Sequence, residues 1–184
     1  MKRIFCVLAC FVVVLCLSSC GGGKITTPGV YNGVSLSLDG NDFQSVFGSE
    51  DWVVSDALST PTCVSFTNES YGDVILMLSP PDADVANPVA LTKADIVESG
   101  FIGYSIDVSH ASYYPNMTWN GVGFGATASE LLKNCGPADV VDEDPISEDG
   151  PAWTAYTYDL DGGWHLSFMV DTDGGIRIVS LFDW

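Results

Sequence analysis

The residues of this 184-residue chain best suited to chemistry are its carboxylates, and they gather in two places. Asp171-Thr172-Asp173-Gly174 opens like a calcium-binding loop. Such a loop needs further oxygen ligands and a bidentate Glu at its twelfth position. Counting from Asp171, the fifth residue is Gly175 and the twelfth is Phe182. A hairpin turn is the better account, because Asp and Gly adopt the φ values that turns demand. Upstream, Asp139, Asp142, Glu143, Asp144, Glu148 and Asp149 could fold around Ca²⁺ and make a calcium-dependent binding domain. The simpler reading of that run is solvated surface charge.

His110 and His165 are the two histidines. A zinc site takes more ligands at regular spacing, so no metal residue is assigned. His165 lies in an alternating stretch, opposite Trp164, Leu166, Phe168 and Val170, and is expected on a sheet surface. Any chain this rich in Ser and Asp nominally contains a Ser-His-Asp set, but no Gly-x-Ser-x-Gly elbow or other nucleophile motif supports one. No catalytic or cofactor-binding residue is assigned. Paired acids for glycoside hydrolysis are set by the fold rather than by spacing. An envelope hydrolase acting on wall glycan or peptide therefore stays as an alternative. Trp52, Trp119, Trp153, Trp164 and Trp184, with seven tyrosines, are expected mostly in the core. A few exposed together would make a flat surface for a glycan or protein partner.

These residues need elements to position them. Val30 to Leu38 alternates like a half-buried strand. Asp39 to Asp42 offers a turn and an N-cap for a short helix with Phe43, Val46 and Phe47 inward. Cys63 to Thr67 and Asp73 to Leu78 read as strands around an Asn68 to Gly72 turn. Ser79 to Asp84 is expected as loop, Thr92 to Gly100 as a short helix, Phe101 to Val108 as a strand, and His110 to Asn116 as loop. Thr127 and Glu130 have the capping-box spacing, Leu131, Leu132 and Cys135 supply an apolar face, and Gly136-Pro137 ends that helix. Asp139 to Gly150 is read as an acidic loop. Three strands follow, Ala152 to Leu160, Trp164 to Val170 and Ile176 to Phe182. The expected class is α+β, short helices packed on antiparallel sheet. A faint repeat sets Gly33 to Leu38 with Phe43 against Gly121 to Ala126 with Leu131, which suggests two tandem helix-plus-meander units.

At the N-terminus, Met1-Lys2-Arg3 is basic, Ile4 to Leu17 is an unbroken apolar run, and Leu17-Ser18-Ser19-Cys20 precedes Gly21-Gly22-Gly23. A basic start, a short apolar run and small residues make a secretory signal. A membrane span needs about 20 apolar residues. The ending resembles the lipobox of bacterial lipoproteins, an apolar residue, two small ones and a Cys. That resemblance implies a signal peptide over 1–19 and a diacylglycerol on the sulfur of Cys20. Two acyl chains hold stably where one does not. Residues 20–29 are then a lipidated Cys and flexible tether. Residues 30–184 form a single α+β domain, with halves 30–110 and 111–184 as the division the repeat would give.

Of the six cysteines, Cys6, Cys10 and Cys16 leave with the signal. Cys63 and Cys135 remain, as a disulfide or as two separate thiols. From Cys20 onward the chain keeps Lys24, Lys93, Lys133 and Arg177 against 24 acids, a formal charge of −20. Nucleic acid is excluded as a partner, since phosphate binding needs clustered Lys and Arg. Broad electrostatic adhesion to an anionic membrane face is not expected for the same reason, so the lipid has to hold the protein. Strong negative charge favours cationic partners.

Gly125, Thr127, Glu130-Leu131, Gly136-Pro137, Trp153 to Tyr158 and Phe168 to Val179 resemble the small lipoprotein domains of the SmpA/OmlA and BLIP-like type. Ala126 departs from that pattern by separating Gly125 from Thr127. The whole chain also resembles uncharacterised secreted lipoproteins of Gram-positive bacteria, in which a segment like Ala94 to Val108 precedes a Gly-x-x-Phe-Gly start. These resemblances imply a binding or assembly role rather than catalysis, and no ligand or cofactor comes with them. The expectation is a lipid-anchored, non-enzymatic module on the outer side of the cell membrane, binding a protein or envelope ligand.

Overall fold

The structure is a computed structural model that describes residues 23–39, 42, 46–47, 51–60, 63–79, 103–144 and 152–183. The signal segment, Cys20 and the helix expected over Thr92 to Gly100 lie outside the described residues. Of the helix expected after Asp42, Val46 and Phe47 are described, and both are helical and buried. No helix among the described residues is long and apolar enough to cross a membrane.

Antiparallel sheet dominates. The alternation over Val30 to Leu38 is not one strand but a tight hairpin. Asn32 and Gly33 take positive φ values of 48° and 83°, separating β1 (Val30–Tyr31) from β2 (Val34–Ser35). Asn-Gly suits this turn because both central residues must sit at positive φ. The same turn recurs at Asn120 and Gly121, φ 49° and 81°. Strands β3 (Trp52–Val54), β4 (Val64–Asn68), β5 (Val74–Ser79) and β6 (Gly103–Asp107) lie between the two hairpins in sequence. The second hairpin is β7 (Met117–Trp119) and β8 (Val122–Gly123). β1 pairs with β7, so the two hairpins make a four-stranded sheet of order β2-β1-β7-β8.

One α-helix is complete among the described residues, α1 (Ala128–Cys135). Its capping box forms as expected. The Thr127 hydroxyl accepts from the Glu130 N–H at 3.2 Å, and the Glu130 carboxylate accepts from the Thr127 N–H at 2.9 Å. The bonds its carboxylate accepts, from the Thr127 N–H and at 3.0 Å from the Thr127 hydroxyl, hold the Glu130 carboxyl below its ordinary pKa. Leu131 and Cys135 are fully buried, but Leu132 is 37 % exposed. One residue of helix is a turn of about 100°, which carries Leu132 off the apolar stripe.

After α1 come β9 (Val140–Asp144), β10 (Trp153–Asp159), β11 (His165–Val170) and β12 (Ile176–Phe182). The eight-stranded sheet runs β3-β4-β5-β6-β12-β11-β10-β9. Its centre is the β6–β12 seam, where Ile106 faces Val179 and Tyr104 faces Leu181. β9 corrects the acidic-loop expectation over its own residues, while the rest of that stretch, 145–150, lies outside the described residues. Its backbone pairs with β10, Val140 opposite Thr157 and Asp144 opposite Trp153, so β10 is not left as an open edge. Asp142 and Glu143 remain solvated because the strand is outermost. A short acidic edge strand also discourages pairing with another chain.

The core lies between one face of the large sheet and the layer made by α1 and the small sheet. Trp119 is its hub. Its ring meets Phe168 at 5.2 Å and Phe124 at 5.4 Å, both edge-on, and Phe168 meets Tyr158 at 5.8 Å. Of residues 20–29, the described part from Gly23 onward makes contacts with the domain. Ile25 is 2 % exposed, Pro28 lends its carbonyl to Trp119, and Gly23 accepts from the Asn120 side chain. The disulfide weighed for Cys63 and Cys135 is not formed, and both are free thiols.

Two glycines test this packing. Gly29 has φ 131°, and a Cβ there would meet Trp119 Nε1 at 2.7 Å. Gly33 also has positive φ, but its Cβ would enter open space. We predict that Gly29→Ala destabilises by roughly 3 kcal/mol, strain and clash together. Gly33→Ala should cost about 1 kcal/mol from φ alone. Denaturant unfolding measures both, and equal losses would refute the close approach of Gly29 to Trp119.

Candidate functional site

The outward face of the large sheet is built by strand alternation. In β11, Leu166, Phe168 and Val170 are buried, while His165, Ser167 and Met169 are half-buried on the other side. Cross-strand register extends that outward side into rows. One row runs Ser65, Met77, Ser105, Ser180, Ser167, Thr157. Ser105 and Ser180 hydroxyls lie 2.7 Å apart, and the Thr157 hydroxyl donates to Ser167 at 3.1 Å. Ser65 is fully buried. Its hydroxyl donates to the Leu58 carbonyl and its N–H to the Ser59 hydroxyl, so the loop after β3 closes that end. A parallel row runs Thr67, Ile75, Asp107, Ile178, Met169, Ala155.

Beside Asp107, Ile178 and Met169 the face deepens into a cavity of about 460 Å³, also lined by Ser109, His110, Trp153, Asp171, Thr172, Asp173 and Arg177. That volume falls in the usual range of small-molecule sites. The Asp171 to Gly175 segment is the hairpin turn expected. Asp171 Oδ1 accepts from the Gly175 N–H at 2.9 Å, and Asp171 Oδ2 accepts from Arg177 Nε at 2.6 Å. Partial desolvation raises the Asp171 pKa, but the bonds from Arg177 and Gly175 outweigh it and hold the carboxyl below the usual range. Arg177 also donates to the Tyr114 hydroxyl and lies 5.8 Å from that ring's centre. Asp107 Oδ1 accepts from the Ser109 N–H at 2.8 Å.

Of the two histidines, His110 reaches this cavity. His165 lies along the same face, its Nδ1 2.8 Å from Asp159 Oδ1 and its ring 5.5 Å from Phe182. No hydroxyl joins the His165–Asp159 pair as a nucleophile would among the described residues. Burial pushes the Cys135 thiol up to about 11 and raises Cys63 as well, so neither sulfur is an activated thiolate. Among the described residues no three His, Cys, Asp or Glu side chains gather as a metal-ligating group. Asp142 and Glu143 are consecutive in β9 and therefore point to opposite faces. Glu148 and Asp149 lie outside the described residues.

Sequence reasoning picked out Asp171, Asp173 and His110 but not Trp153, Asp107, Met169, Ile178 or Arg177 as their neighbours. Alternation marked the outward side of each strand. Which strands are adjacent, and in which register, brought the residues together.

No protein-family model matches the chain, and no curated protein matches it. Among solved structures it is similar to a DUF4309 family protein, YjgB, from Bacillus subtilis, at 17 % identity and a TM-score of 0.40, over 78 % of this chain and 76 % of that one.

The Arg177–Asp171 pair predicts a pH dependence. A carboxyl depressed in the folded state contributes stability that is present above its unfolded pKa, about 3.9, and is lost as pH falls through the folded value. We predict that Arg177→Gln destabilises near neutral pH by about 1 kcal/mol or less, because the pair is partly solvent-screened. Below about pH 4 the gap from wild type should shrink as Asp171 protonates. Urea unfolding across pH measures this, and a gap that does not change with pH would show that the pair is not ionic.

Proposed function

We propose that this protein is a lipid-anchored, non-enzymatic binding module on the outer side of the cell membrane, and that the outward face of its large sheet is the binding surface. The observation that carries the reading is the division of labour between the two sheet faces. One takes the aromatic core. The other presents half-buried Ser167, Met169, Ser180 and Ile178 in register, flanked by a cavity. Small hydroxyls and short apolar groups on a rigid sheet can meet a partner without ordering long side chains, which keeps the entropic cost of binding low. The lipobox-like Leu17-Ser18-Ser19-Cys20 supports the anchor. Resemblance of residues 121–184 to SmpA/OmlA and BLIP-like domains supports binding over catalysis.

The same proposal includes a tandem build. Each Asn-Gly hairpin precedes a helical segment and then a four-strand meander, β3 to β6 and β9 to β12, and the order β3-β4-β5-β6-β12-β11-β10-β9 reads outward from the centre alike in both directions. The join of two such units at β6 and β12 makes the face wide enough for a partner.

Two experiments address the reading. A photo-crosslinking residue at Ser167 should capture a partner in intact cells, whereas one at exposed Asn134 on α1 should not; capture from Asn134 alone would move the surface to the other side. For the anchor, Cys20→Ala should release the body into the medium or leave the precursor unprocessed. A variant that is still processed and still membrane-bound would refute lipidation at Cys20.

A further inference from the structure

The cavity beside Asp107 has walls of two kinds, and together they specify a ligand. Trp153, Met169 and Ile178 are apolar and accessible from the cavity. Asp107, Asp171 and Asp173 supply three carboxylates against one guanidinium, Arg177. Asp171 is already matched by Arg177 at 2.6 Å. Asp107 spends one oxygen on the Ser109 N–H, and its Oδ2 has no hydrogen-bond donor among the described residues. Asp173 sits exposed in the turn, where its carboxylate makes no ion pair among the described residues. Two anionic groups are thus left unneutralised beside an aromatic and two aliphatic side chains.

Building on the binding-module reading, we propose that this cavity receives a cationic head on an apolar stem, an alkylammonium or alkylguanidinium group. The head would lie toward Asp107 and Asp173, with the stem along Met169 and Ile178. Trp153 adds the attraction of a ring face for a cation. An anionic ligand of the same length meets the same stem contacts but two repelling carboxylates. The formal charge of −20 from Cys20 onward draws cations toward the protein as a whole, and the cavity converts that general attraction into a local one. A Lys or Arg side chain of a partner and a free alkylamine share this chemistry.

The test uses the full chain in detergent micelles, with n-butylammonium, n-butylguanidinium and butyrate as probes and tryptophan fluorescence and calorimetry as readouts. Both cations should bind saturably, and more weakly as salt is added; butyrate should not bind. Asp173→Asn, on an exposed turn, should weaken cation binding by roughly fivefold at an unchanged melting midpoint. Asp107→Asn, which keeps an oxygen for the Ser109 N–H, should do the same. Equal binding of butyrate, or cation binding unaffected by both substitutions, would overturn the proposal. Absence of cation binding while Ser167 still crosslinks a partner would overturn it and leave the module reading standing. If butylammonium competes away the Ser167 crosslink, the source is a partner's side chain; if it binds without competing, the source is a free amine.

Discussion

The Pro28 carbonyl accepts hydrogen bonds from both the Tyr104 hydroxyl and Trp119 Nε1, and the Trp119 nitrogen lies 3.1 Å from the Tyr104 oxygen. These three groups are buried, and each would cost about 1–3 kcal/mol if left unpaired. Their closure ties the N-terminal segment, the seam strand β6 and the second hairpin to one point. Burial pushes the Tyr104 hydroxyl far above the usual phenol range, although its bond to Trp119 opposes this. Tyr104 therefore stays a neutral donor under all ordinary conditions. With Trp119 held by its nitrogen, its ring faces are fixed for Phe124 and Phe168, and through Phe168 for Tyr158. Tyr158 in turn donates to the Gly136 carbonyl at 3.1 Å and so secures the end of α1.

Because that knot draws α1 and the small sheet onto one side, the other side of the large sheet is left with small and half-buried side chains. The hydroxyl row satisfies itself across strands, Ser105 with Ser180 and Thr157 with Ser167. Such a row partners its own polar groups across the strands. At the β10 side, β9 supplies an acidic edge with Val140 and Val141 about half exposed. That acidity protects an edge from pairing with another chain.

Much of the local structure was legible because it is determined by near neighbours in sequence. Thr127 and Glu130 announce the start of α1, Gly136 its end, and the apolar alternation of β10, β11 and β12 their inward faces. The alternation over Val30 to Leu38 masks Asn32-Gly33, although the pair is a strong hairpin signal. Over Asp139 to Gly150 the charge density argues for solvent. It does not argue against an edge strand, whose side chains can stay in water while its backbone pairs.

By itself the sequence determined the Asp171 to Gly175 turn, the helix cap, the inward sides of β10, β11 and β12, the overall charge and the lipobox-like start. Each depends on dihedral preference, side-chain spacing or composition, all of which act over a few residues or are simple sums. Only the tertiary structure decided that Asp107 of β6, Ile178 of β12 and Met169 of β11 stand in one row, with Trp153 beside them in the same cavity. Alternation assigns a side chain to a face but carries no information about which strand will lie next to it. Likewise, nothing near Pro28 in sequence indicates that its carbonyl will meet Tyr104 and Trp119, since that contact exists only once β6 and β7 have packed around it.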